Sequence, residues 1–154
     1  MITEMKSDPL HHLLPCDAGP LVPHRPPMLL VSRLIAKADD SITGSESIIE
    51  AVVPLTGPFL ENGRLLPEYY IEVMAQAIAV SDGFPQEKGK KPATGLLTGI
   101  DSFSWIGSAR PGEILRITVC KTFEFGAAFI IEGSISSASG RIADGRLKIW
   151  KLEE

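Results

Sequence analysis

The sequence predicts an α+β domain, an antiparallel sheet of about six strands packed on one long helix. Two observations carry this. One segment, beginning at Pro67 and stopping at Gly83, reads as a convincing helix. After Ala93 the hydrophobic period changes to two, and turn residues break the chain into successive strands. The 154 residues, 44% hydrophobic and 22% charged, are long enough for one domain and have ordinary globular composition. A single domain spanning 1–154 is expected, opened by a proline-rich segment, 1–27.

Each element has a local reason. Six of the twelve prolines lie in residues 1–27, so that segment should run extended or turn-rich over the domain body. It also holds all three histidines, His11, His12 and His24. Residues 28–38 (MLLVSRLIAKA) are mostly apolar and strand-like, with a helix left open by the pattern. Asp39-Asp40-Ser41 reads as a turn, and 42–53 as a second strand rich in β-branched residues. Residues 54–66 carry two prolines and two glycines and read as a loop. Pro67 suits a first helical position, Glu68 complements the helix dipole, and Gly83 is a natural stop. Residues 85–92 (PQEKGKKP) read as a charged surface loop. Four strands follow within 94–152, divided by Arg110-Pro111-Gly112-Glu113 and Ser139-Gly140. In one of them Leu115, Ile117 and Val119 share a face opposite Arg116, Thr118 and Cys120.

Composition also excludes function classes. Fifteen basic against nineteen acidic residues leave a charge of -4, which argues against a nucleic-acid partner. No apolar run reaches the roughly 20 residues of a membrane span, and the N-terminus lacks the apolar stretch of a signal peptide. The chain therefore reads as soluble and cytoplasmic. Cys16 and Cys120 form no motif and read as reduced thiols rather than as the single disulfide they could form. Three histidines without a CxxC offer no metal ligand set, and no phosphate-binding loop or G-x-S-x-G is present, so no cofactor is expected.

The chemistry points to the helix. It is apolar nearly all round, as a buried helix is. Yet Glu68, Glu72 and Gln76 recur at i, i+4 and i+8 and form one polar stripe. That stripe is either a solvated face or the wall of a cleft. In a cleft, flanked by Ile71 and Val73, the Glu72 carboxyl would lose water and hold its proton more tightly, as a general acid must.

Two segments together resemble the 3-hydroxyacyl-acyl-carrier-protein dehydratases of the hotdog fold (FabZ/FabA-like). Residues 23–33, Pro-His-Arg-Pro-Pro-Met-Leu-Leu-Val-Ser-Arg, are similar to that family's P-H-R-x-P-x-L-L-V-D-R opening. Gly57, Phe59, Glu72, Ala75 and Gln76 fall on the lettered positions of G-H-F-P-x-x-P-x-M-P-G-x-x-x-x-E-x-x-A-Q. Thr98-Gly99-Ile100-Asp101 and residues 110–113 resemble its A-G-I-D and R-P-x-x-P-G-D blocks. The H-R-P-P-M-L-L opening and E-x-M-A-Q-A helix also resemble a divergent dehydratase branch associated with aryl polyenes and related polyketide-like lipids.

The resemblance implies a sheet wrapped around the helix, a homodimer, and loss of water from a 3-hydroxyacyl thioester on acyl carrier protein or coenzyme A. It implies Glu72 as the acid and Pro58, Phe59, Glu68, Tyr69, Gln76 and Gly99 as substrate-binding positions. It also exposes two departures. The family's catalytic histidine falls on Pro58, which transfers no proton, and its helix-capping glycine falls on Pro67, which has no N–H. By elimination His24 becomes the candidate base, and the first-turn amides of Glu68 or Tyr69 become the candidate donors to the thioester carbonyl. The alternatives are that His24 is structural, that the chain is a thioester-binding module without catalysis, or that it is a hotdog thioesterase in which Glu72 activates water.

Overall fold

A computed structural model describes residues 10–85 and 94–152. The charged loop expected over 85–92 therefore lies almost wholly outside the described residues. The elements are β1 (Cys16–Asp17), β2 (Arg33–Ala36), β3 (Glu46–Val52), β4 (Leu60–Glu61), β5 (Arg64–Leu65), α1 (Glu68–Gly83), β6 (Thr94–Trp105), β7 (Ile114–Phe125), β8 (Ala128–Ser137) and β9 (Gly140–Leu152). Seven strands form one antiparallel sheet in the order β1-β2-β3-β7-β8-β9-β6, one strand more than expected. The extra one is β1, two residues of the proline-rich segment that pair with β2.

The sheet curves around α1. On β7 the expected faces hold: Leu115, Ile117 and Val119 are buried against the helix. On α1 itself Tyr69, Tyr70, Val73, Met74, Gln76, Ala77, Ile78, Val80 and Ser81 are all buried, so this helix is enclosed on several sides at once. Two differences from the sequence reading have simple causes. Residues 28–32 form no strand ladder: the Met28 and Leu29 amides donate to the Arg25 carbonyl, the Leu30 amide to Gln76, and only Ser32 bonds to neighbouring strand residues, because the segment crosses the helix instead of joining the sheet. Residues 54–66 contain a small hairpin, β4–β5, turned by Asn62 and Gly63, both with positive φ.

Helix and sheet approach closely at one point. Gly133 and Gly145 face each other on β8 and β9. A Cβ on Gly133 would sit 2.7 Å from Met74 Sδ, and one on Gly145 would sit 2.8 Å from the same sulfur and 2.7 Å from the Phe103 ring. The two glycines hollow the sheet, and the fully buried Met74 fills the hollow.

The other end of α1 is polar. Ser47 and Ser81 share a hydrogen bond of 2.7 Å, Lys37 Nζ reaches Ser81 at 3.4 Å and Asp40 at 3.1 Å, and Asp82 lies alongside. Burial pushes the Asp82 carboxyl above its ordinary pKa, partly offset by Lys151, Lys37 and Lys121. Both cysteines are free thiols.

Two outcomes test this packing. Gly145→Ala should cost about 1–3 kcal/mol in urea unfolding, because the new methyl overfills the contact; combining it with Met74→Ala should give a loss smaller than the sum of the two single losses. For Asp82 the raised native pKa means that the folded chain holds the proton more tightly than the unfolded chain. Its contribution to stability is therefore full below the unfolded carboxylate pKa and fades as pH rises through the raised value. Asp82→Asn should flatten that fall, and thermal unfolding scans across the acidic range measure it.

Candidate active site

The site begins with a strap. Residues 22–32 cross the polar stripe of α1; their prolines exclude a helix, and the segment turns at Pro26-Pro27, where the Met28 and Leu29 amides donate to the Arg25 carbonyl. Arg25 anchors the strap by donating from Nη1 to the carbonyls of Gly19 (3.1 Å), Val22 (2.9 Å) and His24 (2.6 Å). Gln76 fastens it to the helix. Its side chain, 1% exposed, donates from Nε2 to the Met28 carbonyl at 2.7 Å and accepts the Leu30 amide at 2.8 Å. The same Nε2 donates to Glu72 Oε1 at 3.0 Å.

The stripe is thus neither wholly solvated nor wholly buried. Glu68 is exposed, Gln76 is sealed under the strap, and Glu72 stands at the rim with 35% of its side chain exposed. His24, 32% exposed, comes down from the strap to place Nε2 3.8 Å from Glu72 Oε1. That is too long for a direct hydrogen bond. A water or hydroxyl lying beside the pair, rather than between them, could reach both atoms. His24 Nδ1 is buried, with no hydrogen-bond partner among the described residues.

The remaining sequence-derived positions fare unevenly. Phe59 is half-buried and packs edge-on against Tyr69, with ring centroids 5.9 Å apart. Pro58 is exposed in the turn before it. Tyr69 is corrected as a carbonyl donor: its amide already donates to Leu66 O at 3.0 Å, because the loop closes a tight turn onto the helix start. Its ring is fully buried, and burial, with Tyr70 beside it, holds the phenol well above its usual pKa. Among the described residues the Glu68 amide, unlike that of Tyr69, donates to no loop carbonyl. Gly99 lies on edge strand β6 at a register shift, where a Cβ would meet the Lys148 stem 3.7 Å away. The strap's histidine, the helix acid and Gln76 therefore come together, and Gly99 does not join them within one chain.

Two contributors were missed. Arg25 was visible only as a letter of the opening motif. Trp105, which donates from Nε1 to the Pro67 carbonyl at 3.0 Å and pins the helix start to the edge strand, carries no sequence signal. Among the described residues no cluster of His, Cys, Asp and Glu is arranged to hold a metal ion.

The family described as ApeP-like, ApeP dehydratase, matches residues 16–154. The chain belongs to the ApeP-like dehydratases. Its fold is the hotdog, as in the dehydratase heterocomplex ApeI:P from Xenorhabdus doucetiae, which superposes with a TM-score of 0.75 at 25% identity over 90% of this chain and 93% of that one. This ApeP-like chain is 32% identical over 101 residues to the 3-hydroxyacyl-(acyl-carrier-protein) dehydratase FabZ of Chloroflexus aggregans, covering 64% of this chain and 68% of the relative. It is 28% identical over 142 residues to the FabZ of Natranaerobius thermophilus, covering 87% and 94%.

The clasp has a measurable consequence. Gln76→Leu keeps the bulk but leaves the Leu30 amide and the Met28 carbonyl without a partner, a loss of about 1–3 kcal/mol for each buried group left unsatisfied. Hydrogen exchange should show the Leu30 amide opening faster in this variant than the amides of β7, which the strap does not touch.

Proposed function

We propose that this ApeP-like dehydratase removes water from a 3-hydroxyacyl thioester using His24 as base and Glu72 as acid, within a dimer. The thioester is carried by acyl carrier protein or coenzyme A, and the product feeds fatty-acid or polyketide-like lipid synthesis. The observation that carries the assignment is the approach of Nε2 to Oε1 at 3.8 Å at one open rim. A module that only binds thioesters has no need of a base facing an acid.

The steps balance as follows. The thioester carbonyl accepts a hydrogen bond from the Glu68 amide at the positive end of α1, which makes the C2 proton more acidic. His24 Nε2 takes that proton, and the released electron pair forms the C2–C3 double bond. The C3–O bond breaks as the protonated Glu72 carboxyl gives its proton to the departing hydroxyl, and water leaves. The site then holds imidazolium and carboxylate. Their closeness lets the proton pass from His24 back to Glu72, directly or through one water, and this resets both groups. Gln76 holds the Glu72 oxygen throughout.

Dimer formation is supported by β6. Among the described residues its outer edge is unpaired, and register shifts at 97–99 and 100–102 keep Leu97, Ile100, Phe103 and Trp105 on the helix side of the sheet, opposite Ile149, Leu147, Gly145 and Ala143. Leu97, Ile100 and Trp105 are nevertheless exposed. A second strand added along this edge would pair its backbone and cover those side chains. A second copy is the simplest occupant. The Xenorhabdus complex, in which two dehydratases associate, favours a hotdog chain of another sequence as the second reading. No helix among the described residues is long and apolar enough to cross a membrane.

Incubating the purified chain with a 3-hydroxyacyl thioester and measuring enoyl product and free thiol separates the readings. Enoyl product supports dehydration, free thiol supports a thioesterase, and neither supports a binding module. Glu72→Gln and His24→Ala should each lower turnover by about 10²–10⁴, the usual weight of general acid–base help. Parent-rate turnover in a folded His24→Ala variant would retire His24, and the same result for Glu72→Gln would retire the acid. Light scattering should find a particle larger than one chain; an active single chain at micromolar concentration contradicts the edge pairing.

A further inference from the structure

The bonds that place the acid and the base run within one chain. His24 Nε2 lies 3.8 Å from the carboxylate of its own chain's Glu72. The other side of the ring is closed, because Nδ1 is buried by the chain's own atoms. The imidazole is thus seated in its own chain, with the Nε2 edge toward the rim. Its backbone is tethered on both sides. Arg25 Nη1 ties the His24 carbonyl, at 2.6 Å, to those of Gly19 and Val22. Met28, four residues along, is fixed to Gln76 at 2.7 Å. Four residues reach at most roughly 14 Å when fully extended. These four turn instead, with the Met28 and Leu29 amides returning to the Arg25 carbonyl.

We infer that each chain carries a complete and independent acid–base pair, to which a neighbouring chain contributes neither member. The inference rests on the assignment of His24 and Glu72 to the elimination. In a dimer such a pair can be drawn from one chain or assembled from two, and the tethers decide between these. For His24 to serve the Glu72 of another copy, the imidazole would have to leave its seat and the strap would have to release Gln76. The Leu30 amide, the Met28 carbonyl and the Gln76 amide would then lose their partners in a region closed to water.

The acid is set by the same side chain. Gln76 Nε2 donates to Glu72 Oε1 at 3.0 Å while it holds the strap that carries the base. One buried amide therefore fixes both partners of the proton transfer, and their separation is set before any substrate arrives. In a pair assembled from two chains that separation would change with every shift of the interface. The return of the proton from His24 to Glu72, which resets the site, also stays inside one chain. The chain that pairs along β6 is called on for no proton transfer, whether it is a second copy or a hotdog chain of another sequence. The number of working sites then equals the number of chains with both residues intact.

Mixed particles test this. Full-length His24→Ala and Glu72→Gln chains, each with its own affinity tag, are co-expressed and purified through both tags in turn. Only particles holding both chains are then assayed for enoyl product from a 3-hydroxyacyl thioester. Every chain in them lacks one member of its own pair, so turnover should stay at the level of the single variants, about 10²–10⁴ below the parent. A pair assembled from two chains would instead regain one site of two, about half the parent turnover, and that result overturns the proposal. The converse particle joins a parent chain to a His24→Ala/Glu72→Gln chain. It should keep about half the parent turnover, and a fall to the level of the double variant overturns the proposal. A chain that never co-purifies with its own copy is assayed alone: turnover supports the proposal and its absence overturns it. Parent-level turnover in either folded single variant refutes the assignment of that residue. Regained turnover in the mixed particle of two impaired variants refutes only the placement of the pair in one chain.

Discussion

One buried amide organises the site. Gln76 sits under the strap with almost no access to water, and an amide in that position costs free energy unless its donors and acceptor are met. Its oxygen takes the Leu30 amide, and its nitrogen serves the Met28 carbonyl and the Glu72 carboxylate. These three bonds tie the strap to the helix and orient the acid together. The position of His24 over Glu72 follows, because the residues between His24 and Met28 are stiffened by Pro26 and Pro27 and held by Arg25.

The opposite side of the helix makes this possible. For the strap to close over one face, the other must lie close to the sheet. The Gly133–Gly145 pair supplies the space, and Met74 fills it. The helix is consequently apolar around most of its circumference, and its polar residues fall where the strap, the rim or the Ser47 and Lys37 side chains can meet them. Gly83 continues the same logic at the far end, where a Cβ would collide with the Leu21 carbonyl. The proline-rich segment lies directly against the helix there.

In the proposed reaction, the departures from the dehydratase pattern at Pro58 and Pro67 share a spatial answer. Elimination needs a base at one point in space and a donor at another, whatever part of the chain supplies them. Pro58 stands exposed in a turn, whereas the strap carries an imidazole to the rim beside the acid. Pro67 offers no amide, but the next residue, Glu68, has one that no loop carbonyl among the described residues occupies. A turn closing at Leu66 consumes the amide of Tyr69, which a linear reading of the first helical turn leaves in contention.

The sequence by itself determined the fold class, the limits of the helix to within a residue, the inward face of β7 and the polar stripe that holds Glu72. These are local properties: periodicity, β-branching, capping and proline restriction act over a few residues and are written directly in their order. Only the tertiary structure decided that residues 28–32 leave the sheet to cross the helix, that Gln76 is sealed while Glu72 stays at the rim, and that His24 meets Glu72 within one chain. Each depends on contacts between residues tens of positions apart, such as Leu30 with Gln76 and Trp105 with Pro67. A side chain's pattern states which face of its element it occupies. What covers that face is set by where distant segments come to rest once the whole sheet has closed around the helix.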